Sequence, residues 1–244
     1  MLPLLAILFT LSSSLTFASA CPGHLAARQA AANATSSPFT LGEDPPAPPA
    51  NLGYTLNHFS LIANNLTAMT AFYRDVLGLR EIFSYIASPD YTVVYLGFSH
   101  GGKNGTGYQT GEQLYAEKNN IEGLLELVHH SSTDDPDAPR FEPSTRVPNT
   151  FGHLGLIVPD IKAAERRFKK HGVKIVKPAG EEVQWDSLGA RAFGFDELHS
   201  SVQKAREAIK GVGMIGFSTF VLIEDPDGNL LEVQQQEPVG AGGV

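Results

Sequence analysis

One cysteine stands in the 244 residues, Cys21, so no disulfide can close within the chain and no cysteine-built zinc site is available. Basic residues are scarce too: Lys+Arg number 18 against 26 Asp+Glu, a formal net charge of −8, and no basic run occurs. A phosphate backbone would find little to hold, so no nucleic-acid partner is expected. Long apolar runs are also missing. The longest, Leu2 to Phe17, falls short of the roughly 20 residues that span a bilayer, so no stable membrane association is expected. What is present is 42% apolar, enough for a real core in one large domain or two small ones.

The apolar start, Leu2 to Phe17, ends on Ala18-Ser19-Ala20, a small-residue cleavage pattern. Residues 1–20 therefore read as a secretory signal cleaved after Ala20, leaving Cys21 first in the mature chain. A lipoprotein signal also places cysteine there, but it usually has Leu where Ala18 stands. Residues 21–53 run from alanines into Pro45-Pro-Ala-Pro-Pro49 and read as a flexible leader. Residues 238–244 read as a loose tail. A secreted, extracellular glycoprotein is expected, with sequons at Asn33, Asn65 and Asn104.

The remaining stretch, 54–237, repeats itself. Thr55 to Ala63 alternates like a half-buried strand, and Met69, Phe72, Tyr73 and Val76 then recur at helical spacing, with Gly78 just past the end. Later, Gly152 to Pro159 reads as a strand. Asp160 stands where a cap belongs, Ile161, Ala164 and Phe168 share one helix face, and Gly172 closes the helix. Further strands are expected at Leu79–Ile86, Tyr91–Phe98 and Leu124–Val128, then at Val173–Lys177, Gly216–Ile223 and Leu230–Val233. Each unit reads β-α-β-β-β, so the fold class is α+β with two tandem βαβββ modules, about 54–131 and 151–236.

Strand parity now sorts the side chains, because neighbours face opposite sides of a sheet. Leu61, Leu125, Leu127, Leu154, Leu156, Leu231 and Val233 fall on fully apolar faces. His58, Glu126, His153 and Glu232 fall on the opposite ones. A lone strand histidine or glutamate is usually structural or solvated, so the signal is the match between repeats. If both sheets curl around a shared cavity, the four meet in it. Carboxylates in a cavity are costly unless a cation compensates them. Two nitrogen and two oxygen donors suit one divalent metal per site, Zn²⁺ first, with Ni²⁺, Co²⁺ or Fe²⁺ as alternatives to it.

Four segments carry a resemblance: Ala71-Phe-Tyr-Arg-Asp-Val-Leu-Gly-Leu79, Leu124-Leu-Glu-Leu-Val-His129, Gly152-His-Leu-Gly-Leu-Ile-Val-Pro-Asp160 and Asp225-Pro-Asp-Gly-Asn-Leu-Leu-Glu232. In this order, over about residues 54–236, they resemble glyoxalase I, the lactoylglutathione lyases of the vicinal oxygen chelate superfamily. The resemblance implies a metal-dependent lyase with His58, Glu126, His153 and Glu232 as ligands. Its substrate would be a small molecule, the hemithioacetal of methylglyoxal and glutathione, and its product S-lactoylglutathione, a detoxification. Glu232 is implied as the proton-moving base, with Glu126 as second ligand and partner in proton delivery. The resemblance also implies sites assembled from two modules, in a monomer or across a homodimer. An enzyme of the same superfamily acting on another dicarbonyl or oxygenated metabolite is the alternative, and a non-catalytic binding protein the third reading.

Departures from the family fall where glutathione is held. Ile62 and Asn149 stand at the two usual arginine positions, and His130 stands for an asparagine. Asn149, Arg146 and His130 are the substrate-binding candidates, with Arg140, Lys177 and Arg191 as further cations that loops offer. The stretch from Gly172 to Asp225 is about twice the usual length for the family. It holds Trp185 and an amphipathic series, Leu198, Val202, Ala205 and Ile209, which reads as a surface helix or a lid.

Overall fold

The computed structural model describes residues 48–101, 107–135, 139–196, 201–213 and 216–236, together with positions 42, 45, 46 and 137. The expected signal, Cys21, Asn33, Asn104, Leu198 and the tail lie outside the described residues. The chain divides into residues 1–54 and 55–244. In the first unit, Pro49–Asn51 form a 3₁₀ turn.

The second unit holds two four-stranded sheets. In the first, β1 (His58–Ala63), β2 (Arg80–Ser88), β3 (Tyr91–Gly97) and β4 (Leu124–His130) lie in the order β1-β4-β3-β2. In the second, β5 (Leu154–Val158), β6 (Ile175–Lys177), β7 (Val221–Glu224) and β8 (Leu230–Gln235) lie in the order β5-β8-β7-β6. Each outer strand, β1 or β5, runs parallel to the last strand of its module, and the other pairs are antiparallel. The two βαβββ modules are thus the same object built twice.

Local signals explain the helices. Asn65 caps α1 (Leu66–Ala71) by accepting from Ala68 N–H, and the chain runs on through a π-helical turn, Phe72–Val76. Asp160 caps α3 (Ile161–Lys170) through Ala163 N–H. Gly78 and Gly172 follow at φ 90° and 68°, in the left-handed region that makes glycine the residue of choice there. An additional helix, α2 (Gly111–Glu117), opens on a capping box between Thr110 and Gln113 and buries Leu114 against Ile82, Ile121 and Leu124.

The apolar faces read from parity share one core. Leu61, Ala63, Leu125 and Leu127 of the first sheet and Val221, Ile223, Leu231 and Val233 of the second belong to the same cluster. Met69, Phe72 and Tyr73 of the first helical segment and Ile161 and Phe168 of α3 complete it. A polar knot sits beside it. The buried Asp225 carboxylate accepts from Tyr73 O–H, Asn229 N–H and the Asn229 amide, while Asp227 accepts from Asn64 N–H. Burial pushes the Asp225 carboxyl above its ordinary range. The Asp225-Pro-Asp-Gly-Asn segment thus ties the second module to the first.

The inserted stretch differs from expectation at its end. Gly216 to Phe220 is not strand: Gly216, at φ 91°, opens a 3₁₀ turn over Phe217–Thr219, and β7 begins at Val221. The reason is Phe217, which turns into a second cluster with Val183, Ala190, Ala192, Leu222 and Leu230. Two helices serve that cluster, α4 (Leu188–Ala192) and α5 (Val202–Gly213). Ala205 and Ile209 of α5 are buried, as the amphipathic series predicts. Among the described residues no helix is long and apolar enough to cross a membrane.

Candidate metal and substrate site

Register places each histidine beside its glutamate by the same rule. Ser60 lies opposite Glu126 and Gly155 opposite Glu232, so His58 and His153, each two residues earlier, share the carboxylate's face and sit diagonal to it. The distances follow. His58 Nε2 lies 3.9 Å from Glu126 Oε2, and His153 Nε2 lies 3.4 Å from Glu232 Oε2.

Each pair has its own supports. Asn57 Oδ1 is 3.0 Å from His58 Nδ1, and Asn57 in turn donates to the Lys118 and Ile121 carbonyls. Tyr95 stands edge-on to His58, at 5.3 Å between ring centres, and lies beside the Glu126 carboxylate. Burial, and then the Glu126 charge, push the Tyr95 hydroxyl up to about 12, so it stays a donor at neutral pH. In the second pair the Gln234 amide donates to Glu232 Oε1, leaving Oε2 toward His153. Phe193, from the inserted stretch, lies 4.5 Å from the His153 ring. The second pair is the more enclosed: side-chain exposure is 29% for His153 and 8% for Glu232, against 39% and 21% for His58 and Glu126.

The donor set fits a divalent cation. His153 Nδ1 is buried without a hydrogen-bond partner, and an orphaned buried nitrogen costs about 1–3 kcal/mol. Coordination would fall instead to Nε2, the nitrogen beside the Glu232 carboxylate, where a cation would offset that carboxylate's charge. The four residues do not, however, meet in one cavity of a single chain, which corrects the shared-cavity expectation. Among the described residues, no three His, Cys, Asp or Glu side chains group to hold one ion. The physical reason is the common core: both apolar faces pack into it, so both ionisable faces lie on the far sides of their sheets. Each chain holds two separate His–Glu pairs, His58–Glu126 and His153–Glu232.

The substrate-binding candidates scatter. His130 is on the Glu126 face by register, its ring 4.9 Å from Tyr91. Asn149 accepts from Phe151 N–H and lines a cleft of about 280 Å³ with Ile62, Ser60, Asn64, Glu142 and Asp227. The two family arginine positions, Ile62 and Asn149, thus share one cleft, and its lining includes two carboxylates. Arg146 sits 3.6 Å from Glu142, and Arg191 donates to the Arg146 carbonyl and lies 3.6 Å from Asp196. Lys177 is buried, its ammonium donating to the carbonyls of Pro178, Glu181, Ser218 and Phe220, so it is not a free cation for a substrate. Tyr95, Gln234 and Phe193 were not singled out in the sequence. Gln234 shares the Glu232 face by simple alternation, while Tyr95 and Phe193 reach the site only through register and loop path.

Four likenesses to known proteins stand beside this geometry. The model of the glyoxalase/bleomycin resistance protein/dioxygenase superfamily matches residues 55–233. A lactoylglutathione lyase of Pseudomonas aeruginosa is 26% identical over 126 residues, which are 51% of this chain and 69% of that protein. One of Schizosaccharomyces pombe is 25% identical over 126 residues, 51% of this chain, and the match spans only 39% of that protein's length. Among solved structures, the trypanothione-dependent glyoxalase I of Leishmania major superposes at a TM-score of 0.42 with 17% identity, covering 75% of this chain and 87% of that one.

Proposed function

The chain belongs to the glyoxalase/bleomycin resistance protein/dioxygenase superfamily, and we propose that it is a metal-dependent isomerase of the glyoxalase I type. Its substrate is the hemithioacetal of a 2-oxoaldehyde, and its product is the thioester of a 2-hydroxy acid. The observation that carries the reading is the repeated diagonal His–Glu pair on the site face of each sheet.

His58, Glu126, His153 and Glu232 would hold one divalent ion, Zn²⁺ first, when a half-site of one copy meets the complementary half-site of a second in a homodimer. When bound, such an ion polarises the substrate's oxygens, which makes the neighbouring C–H acidic. The chain's part is proton movement. Glu232 is the base: Gln234 holds Oε1, so Oε2 is the oxygen free to take the proton from the sulfur-bearing carbon and return it to the adjacent one. Glu126, steadied by Tyr95, attends the opposite side and helps deliver the proton. Atoms and electrons balance without an oxidant, since R–CO–CH(OH)–SR′ and R–CH(OH)–CO–SR′ are isomers.

The lactoylglutathione lyase relatives point to methylglyoxal and glutathione as parents of the hemithioacetal. The cleft at Ile62 and Asn149 favours a second reading, in which another thiol or dicarbonyl takes their place. The test is thioester formation from methylglyoxal adducts by the purified full chain. Chelation is expected to abolish it and added Zn²⁺, Ni²⁺ or Co²⁺ to restore it. Undiminished turnover after verified metal removal would sink the reading.

We further propose that the chain enters the secretory route, begins at Cys21 when mature, and carries a glycan on Asn65. Asn65 is exposed, and its cap bond uses Oδ1, which leaves the amide nitrogen for modification. Material from the medium should begin at Cys21 and lose one glycan mass in Asn65→Gln. A protein starting at Met1 and confined to cytosol would overturn this.

A further inference from the structure

Positive charge is gathered at one place in the second module. Seven of the chain's 18 Lys+Arg fall within residues 161–177, beside a single carboxylate, Glu165. That is a local charge of +6 in a chain of net −8, so the rest carries −14. Phe168 interrupts the cations in the sequence, and the helix regroups them. Ile161 and Phe168 of α3 turn into the core, which leaves Lys162, Arg166, Arg167, Lys169 and Lys170 exposed, with Lys174 just beyond.

Some of these cations are engaged. Lys169 pairs with Glu165 at 2.6 Å, Lys174 pairs with Glu224 at 2.9 Å, and Arg167 donates to the carbonyls of Asp75 and Val76. Among the described residues, no ion pair reaches Lys162, Arg166 or Lys170. Asp160 feels Lys162 and Arg166, but its carboxylate is committed to the cap bond from Ala163 N–H. The three stand four residues apart and form one slanting row, about 6 Å apart along the axis and about 12 Å end to end. The helix dipole accounts for the cations of the last turn, Arg167, Lys169 and Lys170. It does not account for Lys162, which stands in the first turn, where the dipole disfavours a cation.

We propose that the row of Lys162, Arg166 and Lys170 binds a sulfated polysaccharide, a slender chain whose closely spaced anionic groups meet all three cations. The proposal is independent of the isomerase reading. Shape and screening select the partner. The Debye length is about 8 Å at physiological salt, so a thin chain lying on α3 feels the row and little of the −14 elsewhere. An anionic membrane or a nucleic-acid duplex presents a broad charged surface, which brings the acidic remainder into play. The helix also offers no exposed apolar side chain to enter a bilayer and no exposed aromatic one to stack on a base, since Ile161 and Phe168 are buried. Sulfates stay ionised across the physiological pH range, and the Arg166 guanidinium can meet two sulfate oxygens with paired, charge-assisted hydrogen bonds.

The test measures heparin binding to the full chain by titration calorimetry between about 50 and 200 mM salt. Wild type should bind with a log–log salt slope of about −2, the value for three contacts on a flexible polyanion. Changing the whole row, Lys162→Gln with Arg166→Gln and Lys170→Gln, should weaken binding about tenfold or more and flatten the slope toward zero. Each single change should flatten the slope by about 0.7, which keeps the test readable if the triple variant folds poorly. A second triple variant with the same change in net charge, Lys118→Gln with Lys204→Gln and Lys210→Gln, should bind as wild type does. A single-stranded oligonucleotide, and vesicles of equal parts phosphatidylserine and phosphatidylcholine, should bind more weakly than heparin. The proposal is overturned if heparin does not bind, if the row variants bind like wild type, or if the second triple variant loses as much. Tighter binding of the oligonucleotide or the vesicles would overturn it as well.

Discussion

Glu232→Gln should keep much of its metal and lose turnover by about 10²–10⁴-fold, the range that a positioned general base contributes. The argument starts from the carboxylate's two oxygens. Oε1 is held by the Gln234 amide and Oε2 faces His153, so only Oε2 is placed to exchange a proton. Glutamine keeps the volume and a carbonyl oxygen that can still face an ion, but it cannot accept a proton at neutral pH. His153→Ala removes a nitrogen donor instead and should lose metal and activity together. Metal content by elemental analysis, beside kcat on the same samples, separates the two variants. A fully active Glu232→Gln would remove Glu232 from the proton path.

The sequence carried the faces of the sheets further than it carried their meeting. Alternation with period two was enough to set His58, Glu126, His153 and Glu232 opposite Leu61, Leu125, Leu127, Leu231 and Val233, because each strand has one fully apolar side. Gly78 and Gly172 marked the helix ends for the same kind of reason, a local backbone need. The helix at Gly111–Glu117 was missed although Thr110 and Gln113 spell a capping box, because seven residues with Leu114 alone buried give too little periodicity to read. The end of the inserted stretch was misread because Val221 and Ile223 extend backwards into apolar Phe217 and Phe220, and only packing on Leu222 and Leu230 decides that Phe217 turns inward.

What lay beyond any pattern was how two like modules pack. A residue's face is local, but whether two faces look at each other depends on where the cores join, a non-local outcome of many apolar contacts. Asp225 shows the point. The Asp225-Pro-Asp-Gly-Asn motif carried the resemblance, yet its work is visible only as bonds to Tyr73 and Asn229, with Asp227 on Asn64. Those bonds help hold the modules in the arrangement that keeps the two His–Glu pairs apart.

That separation yields a test of the proposed assembly with an all-or-none signal. Consider one chain with His58→Ala and Glu126→Gln, and another with His153→Ala and Glu232→Gln. Each alone has only one intact half-site and should be inactive, because every assembled site contains a dead half. In a two-fold symmetric dimer whose sites join the first module of one copy to the second module of the other, a mixed dimer has one wholly dead site and one wholly intact site. Equal mixing with free exchange makes half the dimers mixed, so about a quarter of wild-type activity should return. Co-expression with two affinity tags secures the exchange, and selecting dimers that carry both tags should raise the recovery to about half. The other geometry predicts a different number: if both half-sites had to come from one chain, every site in the mixture would carry a dead half, and activity would stay at the level of the separate variants. Recovered tag-paired dimers without activity would therefore place the metal within a single chain and require the modules to open from the common core of Leu61, Leu127, Phe168 and Val233. That opening would expose buried apolar side chains at about 25 cal/mol per Å² of area, which is the physical ground for expecting the two-copy site instead.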